Sequence, residues 1–153
     1  MNVAWMYLDK KAATLKAIKD YYCMEQIIQN YESAIEEART KMILCGSSVA
    51  NMTQRPSGAL SQAEERVADS IDAIDLIKGR YRRAVEYMDW FLPAWNALDE
   101  DERFILSEFY QNGNMSKNTV INGLCREMFL ERAQIYRHKD KAVERLAMLL
   151  YGV

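Results

Sequence analysis

Leu98-Asp99-Glu100-Asp101-Glu102-Arg103-Phe104-Ile105-Leu106-Ser107-Glu108-Phe109-Tyr110 reads as a capped apolar helix that stops at the polar run Gln111-Asn112-Gly113-Asn114. Asp99 stands where an N-cap belongs, and Glu102 follows three residues later, as a capping box requires. The acidic first turn faces the positive end of the helix. Phe104, Ile105, Leu106, Phe109 and Tyr110 supply the apolar face. Beyond the break, Ser116 is placed to cap a second helix with Val120, Ile121, Leu124 and Met128 on its inward face. That helix should end near Glu127-Met128, and a third begins at Glu131.

The third helix divides cleanly into two faces. With about 100° per residue and Gln134 at zero, Arg137, His138, Lys141 and Arg145 all fall within about 60° of it. Ile135, Tyr136, Ala142, Val143, Leu146, Leu149 and Leu150 take the opposite arc and are expected to be buried. One glutamine, one histidine and three cations on the other face have the chemistry to read base edges and hold phosphates. A terminal helix with a solvated basic face is the plain alternative.

Toward the N-terminus the pattern changes to heptads. Thr14, Tyr21, Ile28, Ile35 and Met42 lie seven apart, and Ala17, Met24, Tyr31, Ala38 and Cys45 form a second series offset by three. This is the a/d signature of a coiled-coil seam. The pattern stops at Gly46-Ser47-Ser48, so a loop is expected over 46–59, closed by a capping box at Ser61-Gln62-Ala63-Glu64. A second seam follows, with Leu60, Val67, Ile74, Tyr81, Met88 and Trp95, partnered by Ile71, Val85 and Leu92 and broken by Lys78. Two stripes joined by a loop predict an antiparallel helical hairpin with arms of about 35–40 residues, or about 55–60 Å. Gly79 weakens the second arm and Pro93 should kink or end it, which sets the expected boundary between residues 1–93 and 94–153. The seams can close on each other or on a second copy of the chain, and a homodimer through the hairpin is one expectation.

At 153 residues, half of them hydrophobic, the chain is large enough for a core. Its 20 basic and 22 acidic residues give a net charge of −2, which argues against a protein that coats nucleic acid nonspecifically. Locally the balance differs: Glu131 to Arg145 holds five basic residues against three acidic. Cys23, Cys45 and Cys125 are far apart and form no Cys-x-x-Cys pair, so neither a zinc site nor a disulfide framework is expected. Free thiols and the lack of a signal peptide or membrane-length apolar run fit a cytoplasmic protein with no membrane association. The cluster Tyr87, Trp90, Phe91 and Trp95 reads as core packing before it reads as a base-stacking platform. No Gly-rich phosphate loop, nucleophile elbow or acid/base pair occurs; no enzyme, cofactor or metal is expected.

From Leu98 onward the chain resembles region four of bacterial sigma factors. It is still more similar to phage-encoded late transcriptional regulators of the ArpU and RinA type. The resemblance rests on Leu98-x4-Arg103-x2-Leu106-x2-Phe109-Tyr110, on Ile135-Tyr136-Arg137-x-Lys139-x-Lys141-Ala142, and on Leu146 and Leu149-Leu150-Tyr151-Gly152. It implies a helix-turn-helix that binds double-stranded DNA, with RNA polymerase as a further partner and activation of late phage genes as the process. Carried over by position, Arg132, Gln134, Arg137, His138 and Lys141 would contact DNA, with Lys117 at the backbone and Arg145 on the same face. One departure is pointed. The turn that usually reads Leu-Gly-Ile-Ser is here Met128-Phe129-Leu130-Glu131, and the missing glycine predicts a different turn geometry.

The chain is therefore expected to be all-α, a long coiled-coil-like hairpin followed by a three-helix helix-turn-helix module. Two other functions keep that fold. An adaptor whose helix-turn-helix is degenerate is favoured by Glu131 and the acidic total. The DNA-recognising small subunit of a phage packaging motor also combines such parts, usually in the reverse order.

Overall fold

In the computed structural model, which describes residues 8–50, 57–111 and 113–152, every regular element is a helix. The order is α1 (Lys10–Gln29), α2 (Tyr31–Ala50), α3 (Ser57–Asn96), α4 (Glu100–Tyr110), α5 (Lys117–Met128) and α6 (Arg132–Tyr151). Among the described residues no helix is long and apolar enough to cross a membrane. The expected all-α class is the observed one.

The first heptad run lies inward throughout. Thr14, Ala17 and Ile35 are buried, and Tyr21, Met24, Ile28, Tyr31, Ala38, Met42 and Cys45 are half-buried. Thr14 tolerates complete burial because its hydroxyl donates to the Lys10 carbonyl one turn back, at 2.7 Å. Asn30 separates α1 from α2, but the hydrogen-bond ladder passes across it. The Asn30 N–H donates to the Gln26 carbonyl, and the Asn30 carbonyl accepts from the Ala34 N–H, both at 3.0 Å.

Three expectations need correction. The break at Gly46-Ser47-Ser48 does not occur: α2 continues to Ala50, and α3 starts at Ser57. Glycine and serine are weak helix formers rather than breakers. Residues 51–56 of the expected loop lie outside the described residues. Ser61 sits inside α3, so the anticipated capping box does not mark that helix's start. The partner seam of α3 is also misplaced. Ala63, Ser70, Ile77, Ala84 and Phe91 are the inward series, whereas Ile71 is 47 % exposed and Lys78 is on the surface. The seam thus steps three residues from Val67 and Ile74, not four. Three of its five members, Ala63, Ser70 and Ala84, are small, and a search for bulky apolar residues passes over them.

The chain packs as two compact units, residues 25–86 and the remainder. In the first, Tyr31 of α2 stacks on Tyr81 of α3 with ring centroids 4.0 Å apart, and Ala34, Glu37, Ala38, Lys41, Ser70, Ala73 and Ile77 line a shallow groove.

The second unit takes residues up to Met24 and from Tyr87 on. Its main core joins Ala17 and Ile18 of α1, Phe91, Ala94 and Trp95 of α3, Leu98, Leu106 of α4, and Ala142, Val143, Leu146 and Leu150 of α6. Pro93 is inside α3 and marks no boundary in this packing. The helix ends one turn later, so one lost backbone bond is outweighed by burial of Phe91, Ala94 and Trp95 around it. A second core joins Ile105, Val120, Leu124 and Ile135 and ties α4, α5 and α6 together.

Candidate nucleic-acid interface

Helices α4 and α5 start on the caps that the sequence specifies, Asp99 and Ser116, and α6 starts on a cap at Glu131 that the sequence reading did not assign. The Asp99 N–H donates to Glu102 Oε2 at 2.9 Å, within a capping box at the head of α4. Ser116 Oγ accepts from the Thr119 N–H at 3.3 Å at the head of α5. Glu131 takes the same part for α6, its N–H donating to Gln134 Oε1 at 3.0 Å. Val120, Ile121 and Leu124 are buried as expected, and Met128 is half-buried against the second core.

On α6, Ile135, Ala142, Val143, Leu146 and Leu150 are buried, which turns Gln134, Arg137, His138 and Lys141 outward to solvent. Among the described residues, Arg137, His138 and Lys141 have no hydrogen-bond or ion-pair partner. Tyr136 and Leu149, assigned to the buried arc from sequence, are 39 % and 46 % exposed. Leu149 sits at the margin of that arc, whereas the Tyr136 ring, though exposed, lies against Phe109 of the second core with centroids 6.1 Å apart.

Arg132 and Arg145 are engaged within the protein. Arg132, first residue of α6, donates through Nη2 to Asn118 Oδ1 at 2.8 Å. This bond joins the first turn of α6 to the first turn of α5, where Lys117 is exposed. Two positive helix ends flanked by cations suit a phosphate. Arg145 is differently placed. Its guanidinium binds Glu102 Oε2 at 2.8 Å, Asp99 Oδ2 at 3.2 Å and the Ala97 carbonyl at 3.3 Å. Glu102, then Asp99, raise its pKa above the ordinary value. Arg145 therefore ties α6 to the head of α4.

Lys139 falls outside the outward group. Its ammonium lies 5.3 Å from the ring centroids of both Phe109 and Tyr136, and 3.4 Å from Asp140 Oδ1. The aromatic cluster is core at its centre: Phe91 is fully buried and Trp95 nearly so, with Tyr87 stacked on Phe91. Trp90 is 38 % exposed and tilts against Tyr151.

The turn between α5 and α6 departs from expectation. It has no glycine, yet Phe129 adopts the left-handed geometry that glycine favours, with φ 55° and ψ 37°. It is the one non-glycine residue with positive φ among the described residues. Met128 and Leu130 on either side pack against the second core, so the backbone reverses at a single residue whose side chain must point away. Phe129 is 92 % exposed. Sequence reasoning registered the absent glycine but did not single out Phe129 or Asn118.

Among the described residues no three His, Cys, Asp or Glu side chains gather as a metal site would need. The three cysteines are free thiols, Cys23 at the surface and Cys45 and Cys125 half-buried. Comparisons with protein-family models, with curated proteins and with solved structures gave no match.

Proposed function

We propose that the chain is a sequence-specific DNA-binding transcriptional regulator that places α6 in the major groove. The outward face of α6 carries this reading. It offers Gln134, Arg137, His138 and Lys141 to solvent on a helix anchored by six buried residues. Arginine and glutamine are bidentate readers of guanine and adenine edges, and lysine serves phosphate. Gln134 spends one oxygen on the helix cap, which fixes its rotamer and leaves its amide donors for an acceptor. Lys117 and the linked heads of α5 and α6 serve the backbone.

The resemblance to phage late regulators makes activation of late phage genes the corresponding process, with RNA polymerase as the second partner. A homodimer would read two half-sites about one or more helical turns apart. No chemistry beyond binding is proposed.

The competing reading is an adaptor with a degenerate helix-turn-helix. The engagement of Arg132 and Arg145 within the protein is the observation that favours it. Fluorescence anisotropy with labelled duplexes from the chain's own genomic neighbourhood separates the two. A regulator prefers one duplex over a scrambled one and loses about 10-fold or more on Arg137→Ala, the worth of one bidentate base contact. Equal, negligible binding to both duplexes at low salt would point to the adaptor.

A further inference from the structure

Phe129 combines two features that a folded chain seldom tolerates together. Its backbone lies in the left-handed region, where a glycine would cost nothing, and its ring is 92 % exposed. No contact within the protein repays the strain. Nor is the residue on a loose loop. Met128 and Leu130 are held against the second core, the Glu131–Gln134 cap follows at once, and Arg132 is tied to Asn118. The ring is therefore presented from a rigid support.

Its surroundings indicate what it meets. Phe129 stands three residues before the first residue of α6, at the end by which a recognition helix enters the major groove. Lys117, Arg132, Arg137 and Lys141 on these two helices favour an anionic partner over an apolar protein surface. The major groove shows one prominent apolar group to an approaching ring, the 5-methyl of thymine.

We infer that Phe129 is a specificity-determining residue that packs its ring on a thymine methyl beside the bases read by α6. This rests on the DNA-binding reading given above.

The test uses the full chain and a duplex selected by it from a random-sequence pool, with each thymine replaced in turn by deoxyuridine. At one position the wild type should lose about fourfold in affinity, the worth of one buried methyl group. Phe129→Ala should bind the thymine and uracil duplexes alike. Phe129→Gly, which also relieves the backbone, should melt higher than wild type while showing the same indifference. A wild type blind to every replacement, or a Phe129→Ala variant that keeps the thymine preference, overturns the inference. Loss of a protein partner on Phe129→Ala with the thymine preference intact overturns it equally. Binding that depends on Arg137 but not on any methyl rejects the thymine contact alone. Selection of no duplex rejects the DNA-binding reading with it.

Discussion

At the scale of single residues, backbone cost and burial give the sharpest expectations. A left-handed non-glycine residue costs about 1–2 kcal/mol, so Phe129→Gly should stabilise the fold by about 1 kcal/mol. Thermal unfolding would register this as a rise of about 2–4 °C. Tyr87 offers a pH test. Its hydroxyl donates to the Ala17 carbonyl, and burial, more than the nearby Asp20 carboxylate, raises its pKa above the ordinary value of 10.0. Tyr110 and Tyr151 are raised mainly by burial too. A raised phenol is neutral in the fold and ionises more readily once unfolded. Its contribution is therefore complete below pH 10 and is lost as pH climbs toward the folded value. Circular dichroism should show stability falling above about pH 10, less steeply in Tyr87→Phe. An unchanged slope would remove Tyr87 as a cause. Asp99, Ser116 and Glu102 were legible as caps because short side chains act on amides only three residues away. Phe129 was not, since its exposure depends on both neighbours finding a core formed by residues far along the chain.

Among the elements, α3 and α6 divide the lessons. Heptad spacing in α1 and α2 was legible because its large residues all face inward. In α3 the inward series includes Ala63, Ser70 and Ala84, whose value lies in being small, so the bulkier Ile71, Val85 and Leu92 attracted attention instead. Gly79 lies within α3, and a Cβ added there meets nothing within 4 Å. Gly79→Ala should accordingly stabilise the helix by about 0.5–1 kcal/mol, measurable by urea denaturation. On α6, periodicity identified the polar face without telling which cations are already engaged. Arg145→Ala should lower the melting temperature by releasing the head of α4, whereas Arg137→Ala should leave it unchanged. The reverse order in a thermal melt would contradict the division of labour between them. That distinction depends on Glu102 and Asp99, more than 40 residues away in sequence, which helical spacing cannot register.

The whole molecule carries a net charge of −2, so any attraction for DNA must come from a local surface. Residues before Met24 and after Tyr87 share one core, and this unit holds the proposed DNA-binding face entire. Reading the chain as two consecutive pieces overlooked this, because the return of α1 to α6 is a contact between the two ends of the sequence. The central claim is that α6 meets duplex DNA with its outward cations. Anisotropy of the full chain on a selected duplex, titrated with salt for wild type and Lys141→Ala, tests it most directly. Removing one phosphate contact should flatten the slope of log K against log salt by about 1 and weaken binding to all sequences alike. Parallel lines for the two proteins, or wild-type binding that ignores salt, would contradict it.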